Sequence, residues 1–192
     1  MNTENSSGYS EMQLIKRRFF AMRNGVIADA LRKGGSPYRI IFGLNLPQIV
    51  EIAAGQAHRR ELAETLWADS GTRESRLLAT MVYPVEDMSR DDAMRWLETA
   101  GDVETADIMC HRLLRRHPDA VAIAVEHGDD ERHEVRYAAR RLMMNLLSAA
   151  PADSGLTELF KPFATVNEND PRCVAAVSRQ LADEIEWRQD PE

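Results

Sequence analysis

The chain has 192 residues, 44% hydrophobic and 29% charged, and a formal net charge of −7. Its length suits one domain or one short solenoid, and a single domain over 10–192 is expected behind a disordered tail at 1–9. No apolar run approaches the roughly 18 residues that a bilayer span needs, and the start from Met1 to Tyr9 is polar, without a basic n-region or apolar h-region, so neither membrane insertion nor secretion is expected. The acidic balance argues against a protein that coats nucleic acid without selectivity, although it does not say where the positive charges sit.

Nearly every segment reads at the helical period, and alternating β-branched runs are missing apart from Tyr38 to Phe42, which makes the expected fold class all-α. The first amphipathic helix spans Met12 to Met22 and stops at Asn24-Gly25, and a short helix follows from Val26 to Lys33. Gly34-Gly35-Ser36-Pro37 is the clearest loop signal. Pro47 then suits the first turn of a helix that runs to Ala54, because proline lacks the N–H that would be orphaned there. Helices are expected over Arg59 to Ala68 and Thr72 to Val82, with Pro84 closing the second.

Ser89 is an N-cap, able to satisfy a free backbone N–H of a helix carrying Met94, Trp96 and Leu97. Three more helices span Val103 to Arg116, Pro118 to His127 with Gly128 as the stop, and Arg132 to Ser148. Two remain, Leu156 to Thr165 and Pro171 to Trp187, separated by the polar turn Asn167-Glu168-Asn169-Asp170. The helices recur as pairs about thirty residues apart, with Pro84, Pro118 and Pro151 at similar places, as in a stack of antiparallel HEAT-type pairs. A helical bundle accounts for the helix count equally well.

Cys110 and Cys173 lie in amphipathic patterns without a CxxC or Cys/His cluster, which points to buried thiols in a reducing compartment, and a cytoplasmic location is expected. His58, His111, His117, His127 and His133 are scattered without metal-ligand spacing, so no metal is expected and surface or capping roles suit each. No GxSxG, Walker loop or GxGxxG is present, and no cofactor is implied. Trp96 and Trp187 fit the core faces of their helices, where packing and base stacking read alike.

The arginines form a pattern. Arg132, Arg136 and Arg140 recur every four residues beside the apolar stripe Val135, Ala138, Ala139, Leu142 and Leu146. Arg112, Arg115 and Arg116 end an earlier helix, and Arg172 and Arg179 lie two turns apart on the last. In a solenoid these could line one concave cationic groove. The same residues could instead pair with Asp129, Asp130, Glu131 and Glu134, or offset helix dipoles.

The order of features also carries a family likeness: a Met-rich first helix, Gly25-Val26, then Tyr38-Arg39-Ile40-Ile41-Phe42-Gly43 into Leu46-Pro47-Gln48-Ile49-Val50-Glu51-Ile52-Ala53, then Arg73-Glu74-Ser75-Arg76-Leu77-Leu78-Ala79. From about Met12 to Trp187 this resembles the DNA alkylation repair family, HEAT-like helical proteins whose studied members are glycosylases acting on positively charged alkylpurines in duplex DNA. In active relatives a helix start carries a Trp followed four residues later by an Asp, and a neighbouring helix supplies an Arg just before an Ala-Ala pair. Matching the motifs places the Asp at Asp107, with Val103 at the Trp and Tyr137 at the Arg. The family's second Trp falls near Ser178.

The resemblance thus implies one carboxylate, Asp107, to stabilise an oxocarbenium-like sugar or position water. The aromatic and guanidinium that would hold the charged departing base are replaced, with Arg136 and Tyr137 as the nearest substitutes. Two expectations follow. In the first, the protein binds duplex DNA through Arg112, Arg132, Arg136, Tyr137, Arg140, Arg172 and Arg179, with glycosylase activity left open. In the second, it is a non-enzymatic HEAT-repeat scaffold whose groove holds an acidic protein partner.

Overall fold

The computed structural model describes residues 10–56, 58–151 and 154–189; the tail expected at 1–9 lies outside them. The chain divides into two compact units, the first ending at Asp87 and the second beginning at Met88.

The first unit holds α1 (Glu11–Ala21), α2 (Gly25–Lys33), α3 (Leu46–Ala54), α4 (Arg60–Ala68) and α5 (Arg73–Val82). Capping boxes start α1, from Ser10 and Gln13, and α3, from Asn45 and Gln48, each satisfying two backbone donors that no helix carbonyl can reach. Asn24 does more than stop the first helix: its side chain accepts from the Val26 and Ile27 amides and begins α2. Tyr38 to Phe42 forms no strand; Ile40 makes a single parallel bridge with Thr72.

α5 packs against α3 and α4, and nearly all of it is buried, including Arg73, Glu74, Ser75 and Arg76. Apolar burial around it comes from Ile49, Ile52, Leu62, Leu66, Leu77 and Leu78, each contributing about 1.5–3 kcal/mol. The charged groups survive there because they are fully partnered. Glu74 accepts the amides of Phe42, Gly43 and Leu44 at 3.0, 2.9 and 3.3 Å, and Arg73 bridges its Oε1 to the Leu44 carbonyl at 2.9 and 3.0 Å. Arg76 lies over the Trp67 ring, 3.3 Å from its centroid, and donates to the Trp67 carbonyl at 3.0 Å. Gly43 adopts φ +81°, and a Cβ there would overlap the Asn24 carbonyl oxygen, so the loop needs glycine on two counts.

The second unit holds α6 (Arg90–Glu98), α7 (Val103–Arg112), α8 (Ala120–His127), α9 (His133–Ala149), α10 (Leu156–Phe160) and α11 (Arg172–Gln189). α9 is its centre, packing against α6, α7, α8, α10 and α11. Ser89 caps α6 as expected, accepting from the Asp92 amide at 3.1 Å, and Trp96 is fully buried.

Four expectations are corrected. The helix expected over Val103 to Arg116 breaks at Leu113, whose ψ of −70° ends the α-helix in a 3₁₀ turn at Leu114–Arg116. The helix expected to reach Thr165 stops at Phe160 and passes into a second 3₁₀ turn containing Pro162, a residue with no N–H to continue the ladder. Trp187 is 65% exposed, because Leu181 and Ile185 occupy the core face of α11. Of the surface or capping roles expected for the histidines, the surface role fails for His117 and His127, which are buried, while the capping role holds: His117 Nδ1 accepts the Asp119 amide at 3.1 Å where α8 begins, and the His127 ring lies 3.0 Å from the Ile123 carbonyl in the last turn of α8.

Arg140 ties α9 to three other segments. Its side chain is fully buried, and it donates to the Gly128 carbonyl at 3.0 Å, the Thr165 carbonyl at 2.9 Å, the Ser178 hydroxyl at 2.6 Å and Asp129 at 2.9 Å.

Glu74→Ala should lower stability by about 3–5 kcal/mol, because it strands a buried guanidinium and unpairs backbone amides, with a reduced urea midpoint as the readout. A midpoint within error of wild type would refute the central role of this carboxylate. Arg140→Met should cost about 2–4 kcal/mol through the acceptors it leaves without a donor, and a loss under 0.5 kcal/mol, about that of a surface change, would show the network to be dispensable.

Candidate functional site

In the second unit, Gly101 with φ +81° and the N-cap Asp102 turn the chain into α7. Asp102 accepts from the Glu104 and Thr105 amides, fixing the first turn of the helix that carries Val103 and Asp107. Tyr137 projects from α9, and its phenol donates to Asp107 Oδ1 at 2.7 Å. Arg141, one turn further along α9, brings Nε to 3.0 Å from the same oxygen. That nitrogen has no aligned hydrogen-bond acceptor, so the contact is a charge pairing.

Burial raises the Asp107 carboxyl above the ordinary aspartate value, opposed by the Tyr137 hydrogen bond and the Arg141 charge. Burial, and then donation to Asp107, push the Tyr137 phenol upward, which keeps it protonated and donating. Beside this pair is a cavity of about 130 Å³ lined by Gly101, Val103, His133, Glu134, Tyr137 and Cys173 among others. Val103 is 43% exposed where the resemblance implies an aromatic. Cys173, expected to be buried, is only partly so, whereas Cys110 is fully enclosed and its thiol is pushed upward by burial.

Ser178, where the family's second Trp was matched, is fully buried; its hydroxyl accepts from Arg140 and donates to the Val174 carbonyl at 2.8 Å. An indole has no place there.

The arginine row of α9 is present in sequence but not as a free cationic surface. Arg132 pairs with Asp130 and Glu98, both at 2.8 Å, and its hydrogen bonds hold the Asp130 carboxyl down to about 2. Arg136 is 12% exposed, pairs with the buried Asp170 at 2.8 Å and donates to the Asp130 carbonyl. Arg140 is inaccessible. The pairing alternative names the right acids in Asp129 and Asp130, whereas Asp170 and Glu98 come from segments too distant in sequence to anticipate. Arg112, Arg172 and Arg179 are exposed, and no ion pair joins them to a described residue.

Among the described residues no group of His, Cys, Asp or Glu is placed to hold a metal ion, and no helix is long and apolar enough to cross a membrane. Asp107 and Tyr137 are therefore brought together, Arg132, Arg136 and Arg140 are consumed by acids, and Arg112, Arg172 and Arg179 stay available. What sequence reasoning missed is Arg141, one turn beyond the matched Tyr137 position and so within reach of the same carboxylate.

Comparison with known proteins bears on this arrangement. Among solved structures, the chain superposes with a TM-score of 0.78 on one described as belonging to "a new family of proteins related to the HEAT-like repeat DNA glycosylases with affinity for branched DNA structures". The two are 17% identical, and the match covers 93% of this chain and 77% of the other, which gives the fold as HEAT-like. Comparison with curated proteins gives no match. The model of the family described as DNA alkylation repair enzyme matches residues 15–126, more than half of the 192-residue chain. With its all-α HEAT-like fold, the protein belongs to the DNA alkylation repair enzyme family.

Proposed function

We propose that the protein binds DNA and does not excise bases. The observation that carries this reading is the bond from the Tyr137 phenol to Asp107, at the position matched to the family's arginine. A carboxylate that is to stabilise a developing oxocarbenium ion must present its charge to the sugar. Here Tyr137 and Arg141 already draw on that charge. The aromatic surfaces that would hold a cationic base are replaced by Val103 and a buried Ser178. Membership of the family, and a structural neighbour described as having affinity for branched DNA, support DNA as the ligand.

Duplex segments are the proposed ligand, held through phosphates by the exposed Arg112, Arg172 and Arg179 rather than by the α9 row. A second reading, a scaffold for a protein partner, is favoured by the neutralisation of Arg132, Arg136 and Arg140. The two separate in one titration.

Fluorescence anisotropy with a labelled linear duplex and a four-way junction should show affinity falling between 50 and 200 mM salt, with a slope near 0.9 per phosphate contact on a log–log plot. Neutralising Arg112, Arg172 and Arg179 together should flatten that slope; no binding at 50 mM salt would leave the scaffold reading. Alkylated duplex should release neither 7-methylguanine nor 3-methyladenine. Release that disappears in Asp107→Asn would overturn the non-catalytic reading.

Tyr137→Phe removes a bond that lowers the Asp107 pKa, so carboxyl ¹³C titration should place Asp107 higher still in the variant. The raised value makes the associated stability complete below the unfolded aspartate pKa of about 3.9 and lost as pH rises through the folded value, so the gap between variant and wild type should widen from pH 4 to pH 7. An Asp107 that titrates at or below its wild-type value in the variant would contradict the assigned bond.

A further inference from the structure

The first unit carries a feature that the Asp107 region does not use. An open cleft of about 620 Å³ runs along α1, lined by Gln13, Lys16, Arg17, Phe20, Ala21 and Phe42. Phe20 is 57% exposed, although its neighbour Phe19 is fully buried with its ring 5.7 Å from that of Phe42. The Arg23 guanidinium lies 3.9 Å from the Phe20 centroid and is held there by a hydrogen bond to the Phe20 carbonyl at 2.8 Å. Lys16 and Phe20 are four residues apart on α1 and share one face, Arg23 follows the C-cap and folds back over the Phe20 ring, and Arg17 borders the cleft. Lys16 is anchored to Asp69 at 2.8 Å and remains 35% exposed.

An exposed phenyl ring in an apolar hollow edged by cations asks for a ligand with one flat apolar surface and nearby negative charge. From Lys16 to Arg23 the chain has four cations and no acid, within a protein of net charge −7. A nucleic-acid strand with an unpaired base meets both demands: the base stacks on the ring, and the phosphates on either side meet the cations. A fully paired duplex meets only the second, because its bases are stacked on one another.

We propose that the α1 cleft is a stacking site for an unpaired base of DNA, with Phe20 as the platform and Arg23 beside it as the phosphate contact. The proposal rests on the reading of the protein as DNA-binding, and adds to it a preference for gaps and junctions over continuous duplex.

The test measures anisotropy of the full chain with two labelled DNAs of equal length, one a continuous duplex and one carrying a short single-stranded gap. Wild type should favour the gapped DNA. Phe20→Ala should weaken gapped binding by roughly fivefold to a hundredfold, with less than a twofold change on continuous duplex, and Phe20→Tyr should restore the preference. Because Phe20 is mostly exposed, a thermal melt of the alanine variant should match wild type.

Equal affinity of wild type and Phe20→Ala for gapped DNA would overturn the site, as would an equal loss on both DNAs. Poly-glutamate that displaces gapped DNA from wild type but not from Phe20→Ala would overturn it in favour of an acidic protein ligand. Failure of wild type to bind either DNA would remove the DNA-binding reading as well; tight binding to both without a Phe20 effect would remove only this inference.

Discussion

Burying a charge demands a complete set of partners, and Glu74 shows how much structure that demand can organise. Its carboxylate is inaccessible to water, so the penalty of removing it from solvent is offset only by the three amides and the guanidinium that converge on it. To supply those amides, the segment from Phe42 to Leu44 must curl over the N-terminus of α5. That curl forces the left-handed Gly43, brings the Phe42 carbonyl to the Asn24 amide at 2.9 Å, and sets the start of α2. It also aims Phe42 at α1, where its ring backs Phe19 and lines the cleft beside Phe20. The cleft is therefore downstream of a buried ion pair on α5.

The same demand governs the second unit with another outcome. Arg140 sits at a helix position that the apolar stripe should exclude, and it remains because the segment just after α8, the stretch beyond the 3₁₀ turn that follows α10, and α11 offer four acceptors in one place. A guanidinium is suited to this, since its planar fork can address several carbonyls at once. Arg136 follows the same logic with Asp170. These side chains join segments packed around α9, so they serve cohesion, and the positive charge they bring is cancelled locally.

The helices were legible because their signals are local. Caps at Ser89 and Asn45, the proline at the start of α3 and the 3.6-residue period all act within a few residues, and eleven expected helices correspond to the eleven observed among the described residues. Breaks such as Leu113 were not legible, because leucine is a good helix former and carries no stop signal of its own. The candidate site was half legible. Matching motifs brought Asp107 and Tyr137 to corresponding places on two helices, and they do touch. The fate of the arginines was not readable, since a guanidinium four residues from the next looks the same whether it faces solvent or a carboxylate thirty residues away, as Arg136 faces Asp170.

The resemblance matches Tyr137 to an arginine, and a phenol opposite Asp107 differs from a guanidinium in more than charge. An arginine there would neutralise the carboxylate and still present cationic edges outward, whereas a phenol donates one proton and then offers a ring. Arg141 supplies a positive charge to the same carboxylate oxygen from one turn away, and its side chain is 30% exposed. The pocket side is lined by Val103, Tyr137 and Cys173 together with Asp102, His133 and Glu134, around a cavity of about 130 Å³. On the matched alignment Val103 stands where an indole would stack on a cationic base, and Asp107 Oδ1 already accepts from the Tyr137 phenol.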